Sequence, residues 1–244
     1  PEKRQTLFFS STFPADVELL AQQVLKQPQK ISMGIIKPAH TVTHALYPVP
    51  PHLKSALLLE LLKRTDTDSV LVFTRTKYRA QKVARQIHQA GFKVTSLHGD
   101  RTQGQRQAAL KDFKSGTHPI MVATDIAARG LDVESISHVI NYDMPDTADA
   151  YIHRIGRTGR AKRTGDAFTL VTDEDKDMIR TLERIMGHEI KRETLDGFNY
   201  TLPSPPKQAS GHGRGSHPNH SRRPPKPAHT PKSWNRNKLA PRRK

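Results

Sequence analysis

Not one of the 244 residues is cysteine. Disulfide scaffolds, thiolate zinc centres and cysteine nucleophiles are therefore excluded, and a reducing compartment such as the cytoplasm is the expected location. Long apolar runs are missing as well. The greasiest stretch, Ala56 to Leu62, is interrupted by Glu60 and falls far short of the roughly 20 residues a membrane span needs. No leader of charged, then apolar, then small residues opens the chain, so neither secretion nor a membrane partner is expected. Acidic residues vanish from Thr201 to Lys244, a stretch that holds 11 Lys and Arg, 9 of the 18 prolines and only six hydrophobic residues. Such a composition buries too little apolar surface to offset its ordering entropy, and a disordered basic tail is expected over 197–244. The formal net charge is +17, yet the first 200 residues carry 29 basic against 23 acidic side chains. That balance suits a moderately basic globular body.

One further absence concerns chemistry. Nowhere does a glycine-rich loop end in the lysine and hydroxyl that hold β- and γ-phosphates with Mg²⁺. What is present is an alternation of short β-branched or apolar runs with amphipathic ones. Strands are predicted at 6–11, 30–33, 43–49, 69–73, 92–97, 119–123, 136–142 and 165–171. Helices are predicted after Pro14, over about 51–64, 76–90, 103–114 and 147–155, and around Met178, Ile179, Leu182, Ile185 and Met186. Repeated strand–helix–strand units imply an α/β fold with a mostly parallel sheet and helices on both faces. In such sheets ligands sit beyond the carboxyl ends of the strands, and the polar motifs fall there.

The most informative motif is HRIGRTGR at 153–160. His153 and Arg157 are four apart and Arg157 and Arg160 three apart, so on a helical turn they share a face. Guanidiniums gathered in this way repel unless a polyanion neutralises them, and each offers a planar fork matched to phosphate oxygens. TDIAARGLD at 124–132 follows a strand directly. Thr124 offers a hydroxyl to phosphate or sugar, and Asp132 a carboxylate suited to ribose; a helix cap at Thr124 or Asp125 accounts for the same start equally well. In HGDRTQGQR at 98–106, Gln103 and Arg106 lie one turn apart at a helix start, where free N–H groups attract phosphate, although an ordinary capped connection has the same appearance. Thr74 and Arg75 close another strand, where they suit a phosphate as well as Thr76 suits a helix cap, and Ser10-Ser11-Thr12 has the look of a cap before Pro14. Asp173-Glu174-Asp175 looks like a metal motif but is better explained as acids complementing a helix dipole. The tail histidines lack a scaffold to hold metal, so no metal site is assigned.

Together these motifs resemble the second RecA-like domain of DEAD-box RNA helicases. HRIGRTGR is similar to the family's motif VI, TDIAARGLD to motif V, Gln103 with Arg106 to motif IVa, and VFTRTK at 72–77 to motif IV. Ser10-Ser11-Thr12 resembles motif III, with Ser11 where the family usually has alanine. The wording of motifs IV, IVa and V, with a basic low-complexity tail, looks most like the bacterial RhlE-like branch. The resemblance implies that 1–33 close a first RecA-like domain, 34–42 form the interdomain linker and 43–196 are the second domain. It implies Arg157 and Arg160 as arginine fingers and Asp132 as a ribose ligand, with ATP and Mg²⁺ held mainly by the first domain. His153 and Ser10, Ser11 and Thr12 would couple the domains. Thr74, Arg75, Gly99, Gln103, Arg106 and Thr124 would grip RNA without reading its sequence, with ribosomal or RNA-decay assemblies as partners. The activity implied is ATP-dependent RNA unwinding, absent from this chain alone. An RNA-binding or chaperone module acting through the tail is the alternative.

Overall fold

Seven parallel strands in the order β3-β4-β2-β5-β6-β1-β7 make up the sheet. The structure is a computed structural model, and it describes residues 4–10, 13, 15–31, 42–65, 68–128, 136–159 and 164–204. In chain order the elements are α1 (Ala15–Val24), β1 (Val42–Pro48), α2 (Lys54–Arg64, entered by a 3₁₀ turn at Pro51–Leu53), β2 (Val70–Phe73), α3 (Lys77–Gln89), β3 (Val94–Leu97) and α4 (Gln103–Lys114). They continue with β4 (Ile120–Ala123), the single turn α5 (Asp125–Ala128), β5 (His138–Asn141), α6 (Ala148–Ile155), β6 (Gly165–Val171), α7 (Lys176–Met186) and the two-residue β7 (Lys191–Arg192). From β1 to α7, the short turn α5 apart, these bounds match the predicted ones to within the one or two residues by which element ends fray.

Strand alternation builds two cores. Val70, Val72, Ile120, Val122 and Ile140 face α2 and α3, which bring Leu57, Leu58, Leu61, Val83 and Ile87. Leu71, Phe73, Met121, Ala123 and Val139 face the other way, onto Phe113 of α4, Tyr151 and Ile155 of α6 and Leu182 of α7. The central strands are buried on both faces, and for this reason they read as unbroken apolar runs. Connections towards β3 run over one face and those towards β7 over the other, as right-handed crossovers require. The reversal falls at β2: the chain leaves it over the α3 face, whereas it leaves neighbouring β4 and β5 over the opposite face. This switch in direction marks the carboxyl ends of these three strands as the place where ligands bind in open α/β sheets.

Two expectations change. Residues 6–10 adopt no regular structure, and Leu7 and Phe9 are exposed. A strand exists only through pairing, and no described strand pairs with this segment. The expected strand at 30–33 lies partly outside the described residues, and Lys30 and Ile31 are irregular. At the other end, packing continues past residue 196. Phe198 and Tyr200 lie against the α2–α3 core, the Tyr200 hydroxyl accepts the Leu195 N–H at 2.8 Å, and the Leu202 carbonyl meets His52 Nε2 at 2.7 Å. Two aromatic side chains anchor a segment whose average composition suggests a tail. Residues 205–244 lie outside the described residues. Among the described residues, no helix is long and apolar enough to cross a membrane.

Helix α4 starts with a reciprocal capping box. The Thr102 hydroxyl accepts the Gln105 N–H at 3.3 Å, and the Gln105 side chain accepts the Thr102 N–H at 3.1 Å. We expect Thr102→Ala to destabilise the domain by about 1 kcal/mol, read as a lower urea midpoint with an unchanged slope.

Candidate functional site

Backbone hydrogen bonds lace the strand ends together. Thr124 N–H donates to Leu97 O at 3.3 Å, Thr74 N–H to Ala123 O at 2.9 Å and Tyr142 N–H to Phe73 O at 3.0 Å. Beneath this edge lies Arg154, which is 2% exposed. Its fork grips Asp125: Nε donates to Oδ1 and Nη2 to Oδ2, both at 2.6 Å. Nη1 donates to the Asp143 carbonyl at 2.7 Å and to Asn141 Oδ1 at 3.3 Å, and the guanidinium carbon sits 5.1 Å from the Phe73 ring centre. One side chain of α6 thus binds the ends of β4 and β5 and covers the end of β2. Arg154 is buried while Asp125 stays partly open to water, and the guanidinium is worth its desolvation only because its remaining donors are also satisfied.

Asp143, itself 3% exposed, extends the network. Its Oδ2 accepts the Arg75 N–H at 2.9 Å and its Oδ1 the Arg79 guanidinium at 2.6 Å. The Arg75 side chain also donates to Met144 O at 3.1 Å and faces Asp146 at 3.2 Å. Arg75 is thereby held at the rim, half exposed. Thr74 does not reach the surface: it is fully buried, and its hydroxyl donates back to Thr76 O at 3.4 Å. Its position supports the turn that carries Arg75. Thr76 caps α3 by accepting the Arg79 N–H at 3.2 Å.

Gly99 and Gln103 are exposed beyond β3, and Thr124 is partly exposed beyond β4. Arg106 reaches from α4 to Ala127 O at 3.3 Å, joining motif IVa to the turn of motif V. His153 is half-buried on α6. Arg157 is half-buried in the turn that follows, and its N–H donates to Arg154 O at 3.0 Å. That turn is clamped from behind. The Thr158 hydroxyl is shared between Ile136 O at 2.6 Å and Ser137 O at 2.9 Å, and Gly165 packs so tightly that a Cβ there would overlap Thr158 and approach Gly159 N to 2.6 Å. Ser10 is exposed. Ser11, Thr12, Asp132 and Arg160 lie outside the described residues. Among the described residues, no three His, Asp or Glu side chains gather as a metal site.

Residues 53–162 match the family model for the helicase conserved C-terminal domain. The chain is similar to the DEAD-box ATP-dependent RNA helicase 30 of Arabidopsis thaliana, 45% identical over 186 residues, which are 75% of this chain and 32% of that protein. Among solved structures it resembles the E. coli DEAD-box protein SrmB bound to regulator of ribonuclease activity A, with 37% identity, a TM-score of 0.62, and coverage of 67% of this chain and 97% of that one. It also resembles S. cerevisiae Dbp5 bound to RNA and ADP BeF3, with 29% identity, a TM-score of 0.69, and coverage of 77% and 51%. The chain belongs to the DEAD-box helicases.

It carries their C-terminal domain, with the RecA-like α/β fold, and spans about a third of the length of the curated relatives it matches. Within this DEAD-box domain, sequence reasoning missed Asp143, Arg79 and the structural task of Arg154 and Asp125. A signal was available for one of them: Arg154 interrupts the apolar stripe of Tyr151, Ile152 and Ile155, and a cation there needs an anion within reach. Asp125→Ala leaves Arg154 without its anion, and we expect a loss of about 3 kcal/mol in urea unfolding. Asp125→Glu should recover part of it.

Proposed function

We propose that this chain is the C-terminal part of a cytoplasmic, ATP-dependent RNA helicase of the RhlE-like branch. The observation that carries the reading is the Arg154 network, which makes one unit of the RNA-side loops and the turn bearing Arg157. Residues 1–33 close a first RecA-like domain, 34–42 link the two, and the second domain follows from residue 43. ATP is the substrate, and with its Mg²⁺ it is held mainly by the first domain. On closure, Arg157 and Arg160 neutralise charge spreading over the γ-phosphoryl oxygens. Asp132 holds the ribose, and His153 meets Ser10, Ser11 and Thr12 to couple the domains.

RNA lies across the strand ends. Arg75, Gly99, Gln103, Arg106 and Thr124 grip its backbone, while Thr74 shapes the turn beneath. Backbone contacts carry no sequence information, and a 2′-hydroxyl contact lets the clamp prefer RNA. Closing on a bent single strand pries a short duplex apart. The basic tail keeps RNA nearby by counterion release. Ribosomal or RNA-decay assemblies are the proposed setting, and the pairing of SrmB with a regulator of ribonuclease activity supports the second.

Two predictions follow from the fingers and the tail. In a protein that includes the first domain, Arg157→Lys or Arg160→Lys should lower RNA-stimulated ATP turnover by roughly 10³-fold or more, with ATP-independent RNA binding largely kept, because lysine lacks the fork. The 244-residue chain alone should turn over no ATP; near-normal turnover in both variants, or by the chain alone, would remove the assignment. Deleting 201–244 should reduce RNA affinity and flatten its salt dependence without abolishing binding. If that deletion removes all affinity while Arg106→Gln changes nothing, the chain acts as an RNA-binding module through its tail.

A further inference from the structure

Strand β3 is an outer edge of the sheet. Along it runs a cleft of about 490 Å³, walled by Arg85 and His88 of α3, Ser96 of β3, and His98, Arg101 and Gln105 from the connection into α4. The lining is polar and basic. Among the described residues lining it, Asp100 is the one acid, and Lys77 Nζ already holds it at 2.8 Å. Arg85 and Arg101 are left as uncompensated cationic charge facing the same space.

The wall contains donors with nothing to bind. His98 is 1% exposed, yet neither ring nitrogen has a hydrogen-bond partner, and Arg101 Nε has none either. Buried polar atoms in native proteins are almost always satisfied, so orphans grouped at one cleft call for a partner. Burial and the neighbouring Arg101 hold the His98 pKa below its ordinary value. The ring is therefore neutral, with one N–H to donate. The Arg101 guanidinium is tethered to Ser96 Oγ at 2.8 Å.

We propose that this cleft is a second phosphate subsite, which takes a phosphodiester of the RNA strand after it leaves Gly99 and Gln103. The proposal rests on the RNA-grip reading above. Its residues interleave with the proposed grip: His98, Arg101 and Gln105 alternate along the chain with Gly99 and Gln103, so the cleft opens from the same loop. An oxyanion supplies the acceptor that both orphaned donors need and the charge that Arg85 and Arg101 need. A peptide added to the edge strand would want apolar pockets for alternate side chains, and the lining offers mainly Arg, His, Gln, Ser and Thr.

The test uses the whole chain and fluorescein-labelled oligouridylates of increasing length, read by anisotropy at fixed salt. Arg85→Glu and Arg101→Gln should bind the shortest oligonucleotides like the parent and lose the gain that comes with length, a weakening of roughly 3- to 10-fold on long RNA. Ring signals of His98 in NMR should move with long oligouridylate and stay still with short. Arg106→Gln should weaken all lengths alike. Parent-like affinity for long RNA in both cleft variants, or an unmoved His98 signal, overturns the subsite. If Arg106→Gln has no effect at any length while the cleft variants do, the grip reading fails and the subsite stands. Arg85-dependent binding of hexaglutamate without any RNA length effect overturns the proposal in favour of an acidic peptide.

Discussion

A guanidinium almost wholly withdrawn from water holds this domain's working edge together. Arg154 cannot sit where it does without Asp125, and Asp125 can face it only because β4 ends two residues earlier. The carbonyl of Asp143 completes the set, and the same residue's carboxylate reaches across to Arg75 and Arg79. Loops from three strands are thereby positioned by charge-assisted bonds instead of by their own stiffness. Loops are ordinarily the least restrained parts of a fold. Here the motif residues inherit the rigidity of the sheet, because Arg154 and Asp143, which tie them to it, are buried.

This arrangement assigns different work to residues that look alike in the sequence. Four cationic or protonatable side chains fall within eight positions of motif VI. Arg154 points into the protein and is saturated, while Arg157 stands half-buried one turn later on the backbone that Arg154 anchors. Thr74 and Thr124 both end strands, but the first is sealed in and the second partly open. Position after a strand selects the edge. It does not by itself decide exposure, since the two threonines follow strands paired in the same register.

Much of the fold was legible because central parallel strands announce themselves. The runs at Val70–Phe73 and Ile120–Ala123 are apolar throughout, and their flanks carry turn and cap residues. The motif loops were legible for the same reason, as polar residues directly after such runs. Less visible were features that depend on partners distant in sequence. The predicted strand at 6–11 has a good local pattern and nothing described to pair with. Strand β7 is two charged residues, Lys191 and Arg192, that extend the sheet only because β1 offers a free side. Asp143 lies in a stretch with no motif signature, and its importance comes from Arg75 and Arg79 across the sheet. Tyr200 was hidden by the company it keeps, a segment dominated by proline and basic residues downstream.

The register of β1 has a consequence for biosynthesis. Val42 to Pro48 lie between β6 and β7, two strands made near the end of the domain. Among the described residues, no strand made earlier lies beside it. As the chain leaves the ribosome, β1 must wait, apolar and without strand partners, while almost the entire domain is translated. Long-range parallel pairing of this kind is slow to form. That interval, rather than the finished sheet, is when this protein is most open to capture by a chaperone or to aggregation.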